Sequence, residues 1–224
     1  MTKRKALVVG ATGLIGKELV KLLVDCPQYE HVEIWVRTSS RIEHQKLRER
    51  IINFDTLQDI KIEAPFNDVF CCLGTTIKKA RTKDQFKKVD LQYPLELARL
   101  AKNNATDHFL VVSAIGANPE SPVFYNKVKG KLERDLQALS LPRLSIFRPS
   151  ILLGKREEFR LGERLGIIAV FLMKFLLAGK LRRYRGIHAS DVAKAMVAAA
   201  LKTQKQPVTI YESEVIVQLS MEAI

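Results

Sequence analysis

The stretch "ALVVGATGLIGKELVKLLVDC", residues 6–26, constrains the fold more than any other part of the chain. A short, continuous apolar run ends in a glycine; further glycines stand at positions 13 and 16, and apolar residues then recur at helical spacing. The opening run reads as a strand buried on both faces, and the segment after the glycines reads as a helix. A glycine loop held between a strand and a helix has a mechanical use. Gly10 permits a tight turn, Gly13 lets backbone amides approach a pyrophosphate, and Gly16 lets the helix sit close to the sheet. The helix N-terminus adds partial positive charge facing the anion. The spacing, G-x-x-G-x-x-G, is wider than the usual G-x-G-x-x-G. An ordinary glycine-rich turn is the plainer alternative, but the strand before and the helix after supply the required context.

The alternation continues along the chain. "HVEIWVR", "DVFCCLG", "HFLVVSAIG", "RLSIFRPS" and "VTIYES" read as strands. "LQYPLELARLAKNN", "NKVKGKLERDLQAL" and "GIHASDVAKAMVAAALK" read as helices, the last opened by Ser190 or Asp191 as a cap. Strand–helix alternation with apolar strands predicts an α/β fold: a doubly wound, Rossmann-type parallel sheet with helices on both faces. No repeat or linker divides the chain, so residues 1–224 are expected to form one domain. The segment from about Leu153 to Tyr184 breaks the rhythm, and residues 153–190 are expected to form the substrate side of the domain. It contains "LGIIAVFLMKFLLAGKLRRYR", an apolar run too short to span a bilayer as a helix. Its expected use is the apolar wall of a substrate pocket, with contact to a membrane surface or a second protomer as alternatives.

The chain carries 37 Lys and Arg against 24 Asp and Glu, a formal net charge of +13. Such an excess suits a phosphate-rich partner, an acidic surface or anionic lipid. The preferred reading is solubility together with attraction for a polyanionic cofactor. "KKARTKDQFKK" and "KLRRYR" lack interleaved stacking aromatics and a helix-turn-helix setting, so nucleic acid is not expected as a partner. The three cysteines, Cys26, Cys71 and Cys72, form no C-x-x-C pair, and the four histidines, His31, His44, His108 and His188, show no metal-ligand spacing. This pattern argues for a reducing compartment and against a metal site. "MTKRKALVVGATG" opens like a signal peptide, but the glycines interrupt its apolar stretch. A cytoplasmic location is the expectation.

In this architecture, an acidic residue at the end of the second strand favours NAD, whereas an arginine suits the 2′-phosphate of NADP. Here the strand ends "WVRTSSR", with Arg37 at that position and Glu33 too far inside the strand. A planar guanidinium fits phosphate in bidentate fashion, so NADP (NADPH) is the expected cofactor. A surface arginine of a basic protein is the alternative.

In "VFYNKVKGKLE", Tyr125 and Lys129 lie four apart and share one helix face. A free tyrosine titrates near ~10, and an adjacent ammonium favours its phenolate and so lowers that value. The same lysine can hold a cofactor ribose. Ser113 ends the strand "FLVVS", at the edge of a parallel sheet where ligands bind, and its hydroxyl is placed to polarise a carbonyl oxygen. Ser113, Tyr125 and Lys129 therefore form a candidate catalytic set.

"GATGLIG", "VFCCLGTT", Ser113, "YNKVKG" and "FRPSILLG", in this order, resemble the atypical short-chain dehydrogenases/reductases related to the Tat-interacting protein. The resemblance spans nearly the whole chain, and "CCLGTT" is its most specific element. It implies that Gly10, Thr12, Gly13, Leu14, Ile15 and Gly16 hold the pyrophosphate and that Arg37 reads the 2′-phosphate. Leu73, Gly74 and Thr75 would border the adenosine and the nicotinamide-side ribose, with Pro149 and Ile151 flanking the nicotinamide. Tyr125 and Lys129 would serve both catalysis and cofactor binding. The catalytic asparagine of many superfamily members has no obvious counterpart. Asn53 stands where an acidic adenine contact is common, with Asp55 as a substitute. The implied activity is NADP-dependent oxidoreduction of an apolar carbonyl or alcohol by a monomer or homodimer. The other implied possibility is a weakly catalytic or non-catalytic regulatory or scaffold protein with protein or membrane-surface partners.

Overall fold

The structure is a computed structural model and describes residues 3–62, 64–153, 185–203 and 206–222. Its strands are β1 (Arg4–Val9), β2 (Tyr29–Val36), β3 (Leu47–Ile51), β4 (Asp68–Cys71), β5 (His108–Val112), β6 (Leu144–Arg148), β7 (Leu152–Leu153), β8 (Ile187–His188) and β9 (Val208–Glu212). Seven of them form one parallel sheet in the order β3-β2-β1-β4-β5-β6-β9, and β7 and β8 pair separately. The helices are α1 (Leu14–Asp25), α2 (Ile77–Ala80), α3 (Lys83–Lys87), α4 (Tyr93–Asn103), α5 (Phe124–Ala138), α6 (Ala189–Leu201) and α7 (Ser213–Glu222). The doubly wound, Rossmann-type sheet expected from the alternation is thus present.

Side-chain alternation explains why the strands read as unbroken apolar runs. Ala6 and Val8, with Phe70, Leu110 and Phe147, face the layer containing α1, α6 and α7. Leu7 and Val9, with Val69, Cys71, Phe109 and Val111, face the opposite layer of α4, α5 and the 3₁₀ turn Phe54–Asp59. The central strands β1, β4 and β5 thus have a core on either side, which is why they are apolar at both parities over most of their length. Alanines line the buried face of α6 at positions 189, 193, 195, 199 and 200, which brings this helix close to α1. α6 starts two or three residues earlier than a cap at Ser190 or Asp191 would place it. His188 is its N-cap and makes no side-chain capping bond, so Ser190 and Asp191 fall in the first turn and do not cap it.

The N-terminal edge of the sheet carries a buried polar cluster, on the side opposite the glycine loop. Asp68 accepts two hydrogen bonds from Arg4, both at 2.8 Å, and one from the Tyr29 hydroxyl at 2.7 Å. His108 Nδ1 stands 3.7 Å from the same carboxylate, and its Nε2 lies 2.8 Å from Ser145 Oγ. Burial, reinforced by Arg143 and Arg4, lowers His108 to about 3, so the folded protein keeps it neutral. The unfolded chain protonates the same imidazole near ~6.5 and therefore binds the proton first as pH falls. His108 thus contributes stability that is full above ~6.5 and is lost toward about 3, at roughly 1.4 kcal/mol per pH unit. Burial raises Asp68, which acts in the opposite direction. Denaturant melts of wild type and His108→Gln between pH 7 and 4 should separate the two contributions. The variant is expected to lose less stability on acidification than wild type; parallel curves would contradict this assignment.

Candidate functional site

Strand order reverses between β1 and β4, and the crevice at their C-terminal ends is where a doubly wound sheet binds ligands. Val9 pairs level with both Trp35 and Cys71, so Gly10, Arg37 and Cys72 leave the sheet around one edge. Gly10 turns at φ +89°, and a β-carbon there would lie 2.6 Å from the Cys72 carbonyl carbon. Both the conformation and the space exclude a side chain. At Gly16 a β-carbon would lie 2.2 Å from the Gly10 carbonyl oxygen. The close approach that fixes this glycine is therefore between α1 and its own preceding turn.

Gly13 is the N-cap of α1 and offers no side chain to its amides, and the first turn holds no acidic residue. Ile15 turns its side chain into the core, while Thr12 is exposed and Leu14 half-buried. The free amide ends of a twelve-residue helix, behind a turn that only glycine can make, fit a pyrophosphate. Arg37 is exposed and makes no ion pair or hydrogen bond among the described residues. The acidic alternatives nearby are occupied. Glu33 is buried and accepts from the Trp35 indole at 2.6 Å. Asn53 caps the 3₁₀ turn by accepting from the Asp55 amide, and Asp55 itself is held by Tyr93 and Lys88.

Leu73, Gly74 and Thr75 form the loop after β4. The Thr75 amide donates to Asp90 Oδ2 at 2.8 Å, while Asp90 Oδ1 lies 2.8 Å from Lys129 Nζ. Asp90 sits in a five-residue π turn, Lys88–Gln92, between α3 and α4. Burial alone would lower the Lys129 ammonium, but Asp90 and Tyr125 outweigh it and hold the group above the usual lysine range. Asp90 was not apparent from the sequence.

Tyr125 and Lys129 project from one side of α5, and the tyrosine ring packs on Phe86 with centroids 5.7 Å apart. Ser113 is directed elsewhere. Its hydroxyl donates to Glu133 Oε1 at 2.5 Å, and Glu133 is held by Arg148, which also reaches Glu212 at 2.8 Å. A serine has one proton to donate, and here it goes to a buried carboxylate. Among the described residues no hydrogen bond joins Ser113 to Tyr125. Pro149 is buried and its carbonyl accepts from the Ile115 amide at 3.0 Å, which ties the ends of β5 and β6 together. Ile151 is exposed beyond them. Of the expected substrate-side segment, residues 154–184 lie outside the described residues. Cys71 is buried packing, its thiol pushed up to about 12 by burial, which leaves it a poor nucleophile.

A glycine-turned crevice at the switch point of a seven-stranded parallel sheet, with tyrosine and lysine one helical turn apart beside it, defines the short-chain dehydrogenase/reductase class, here of the atypical kind. The chain belongs to the HIM1 family, whose profile matches residues 31–174. It is 36% identical over 219 residues to Protein FMP52, mitochondrial, of Eremothecium gossypii, covering 96% of each chain. It is also 36% identical over 167 residues to Protein HTATIP2 of Rattus norvegicus, covering 73% of this chain and 69% of that one. MoeE5, solved with UDP-glucuronic acid and NAD, shares the fold at TM-score 0.70 and 17% identity, over 97% of this chain and 81% of that one. Helicobacter pylori ADP-L-glycero-D-manno-heptose-6-epimerase shares it at TM-score 0.69 and 15% identity, over 98% and 82%.

These relatives correct the expected cytoplasmic location. Those from Eremothecium gossypii, Meyerozyma guilliermondii and Scheffersomyces stipitis are all named mitochondrial proteins. Free cysteines mark a reducing milieu and do not distinguish one such compartment from another.

Proposed function

We propose that this protein is an NADP-dependent oxidoreductase acting on a carbonyl or alcohol substrate. The observation that carries the reading is Tyr125 beside a buried, charged Lys129 at the ligand-binding edge of the sheet. The bound dinucleotide supplies or accepts the hydride. The amide end of α1 holds its pyrophosphate, and Lys129 holds the nicotinamide-side ribose beside the Tyr125 hydroxyl. Tyr125 gives its proton to the substrate oxygen during reduction and takes it back during oxidation. Structural neighbours solved with NAD, MoeE5 among them, support a nicotinamide cofactor.

The 2′-phosphate is assigned to Arg37 because its guanidinium is exposed and unpaired, whereas the nearby Glu33 is buried and bonded. Arg37→Ala is expected to weaken NADPH binding by about ten- to a hundredfold, the usual worth of a charge-assisted contact, and to leave NADH binding unchanged. Nicotinamide fluorescence titrations check this. Equal losses for both cofactors would remove Arg37 as the reader.

One observation favours a second reading, in which the protein binds the dinucleotide as a regulatory or scaffold protein and turns over little. Ser113, the expected polariser of the substrate oxygen, gives its proton to Glu133. In the enzyme reading Tyr125 then acts on that oxygen without Ser113, or Ser113 reorients when substrate arrives.

A further inference from the structure

We infer that Asp90 is the positioning residue of this site: its carboxylate clamps the Lys129 ammonium to the loop after β4 and keeps that lysine charged and facing the crevice. The inference rests on the proposed role of the Tyr125–Lys129 pair. It identifies what holds that pair in place.

The geometry uses both oxygens of one carboxylate. Oδ1 lies 2.8 Å from Lys129 Nζ, and Oδ2 accepts from the Thr75 amide at 2.8 Å. Both side chains are removed from water, at 4% exposure for Lys129 and 1% for Asp90. Three groups bear on the ammonium: Asp90 from the π turn, Tyr125 from its own helix, and Cys71 at the end of β4. Burial holds the Cys71 thiol protonated, and the Asp90 carboxylate is the group ion-paired with the ammonium. Without it, a lysine so deeply buried would give up its proton, because desolvation penalises the charged form. A neutral amine could neither stabilise a phenolate nor grip a ribose hydroxyl as strongly.

The backbone supplies an independent sign. The π turn at Lys88–Gln92 separates α3 from α4. Inserting one residue into a helical turn rotates the downstream helix by roughly 100°, and such turns recur at functional sites. Here the irregular turn is the one that carries the buried carboxylate. Its backbone departs from ideal geometry where an inward-facing acid meets both the loop after β4 and α5.

The test requires neither cofactor nor substrate. The carbon-13 shift of the Lys129 ε-methylene is followed by NMR from pH 6 to 10.5, its resonance assigned by its absence from Lys129→Met. Wild type is expected to keep the ammonium to the top of this range, whereas Asp90→Asn titrates at least about two units lower. Identical titrations in the two proteins would overturn the proposal. If Asp90→Asn fails to fold, Asp90→Asn/Lys129→Met decides. Recovery of folding once the ammonium is also removed supports the clamp, and a double variant that also fails to fold reduces Asp90 to packing and overturns it. A wild-type protein that binds no nicotinamide dinucleotide would sink the proposed function while leaving this titration result standing.

Discussion

Tyr125→Phe is expected to lower NADPH-dependent reduction of carbonyl compounds by about 10²–10⁴-fold, the usual worth of a positioned general acid. The substitution removes one oxygen and nothing else. The ring keeps its packing on Phe86, so stability and cofactor affinity should stay close to wild type. Lys129 retains Asp90 as its partner, so the ammonium remains in place when the phenol is lost. The measurement is single-turnover oxidation of NADPH against a panel of apolar aldehydes and ketones, beside a binding titration of the same preparation. A variant with most of the wild-type rate would assign the proton to another group. A wild type that binds NADPH yet turns over no member of the panel would favour the regulatory reading.

Arg4→Ala has the largest expected effect on stability. Its guanidinium makes both charged contacts to Asp68, whose side chain is fully buried. Removing one partner of such a pair leaves an uncompensated buried charge and costs about 3–5 kcal/mol. Arg4 is a quarter exposed, so water can reach the vacated position, and a loss near the lower bound, about 3 kcal/mol, is expected. For a domain of this size that corresponds to a fall in Tm of roughly 6–12 °C. Tyr29 cannot supply the missing charge. Burial, reinforced by Asp68, raises its hydroxyl well above the usual range, so it remains a neutral donor. The Arg4→Met/Asp68→Asn pair should recover part of the loss, since it removes the orphaned carboxylate as well. A single variant that melts within about 2 °C of wild type would show that this cluster contributes little.

Where both faces of a strand are buried, the sequence announces it. "LVV" in β1 and "FLVV" in β5 are apolar at every position because a core lies on each side. β3 gives no such signal. "LRERI" alternates charge and is half-buried or exposed throughout, because it forms the edge of the sheet and faces water. α7 was also not legible, since only Ser213, Ile216, Leu219 and Ser220 of its ten residues are buried. In the site, the glycine loop could be read because its function depends on backbone and local spacing. The partners of Ser113 and Lys129 could not. Glu133 reaches Ser113 from two turns beyond Tyr125 on α5, and Asp90 reaches Lys129 from a different element. Pairings between residues distant in sequence are set by the folded chain, and one sequence carries no periodicity that reveals them.

The central claim is that the turn at Gly10–Gly16 binds the pyrophosphate of a nicotinamide dinucleotide, and Gly13→Asp tests it most directly. Gly13 is exposed, with φ −77° and ψ 173°, a conformation open to any residue. A β-carbon there would meet only the Gly10 carbonyl, at 3.2 Å. Aspartate is also among the preferred N-cap residues, worth about a few tenths of a kcal/mol over glycine, so the fold should be kept. The same carboxylate would occupy the helix amides and repel the pyrophosphate. Wild type titrated with NADPH by nicotinamide fluorescence is expected to show saturable binding, and Gly13→Asp to fold normally and bind at least about a hundredfold more weakly. Undiminished binding by the variant, or none by the wild type, would contradict the account.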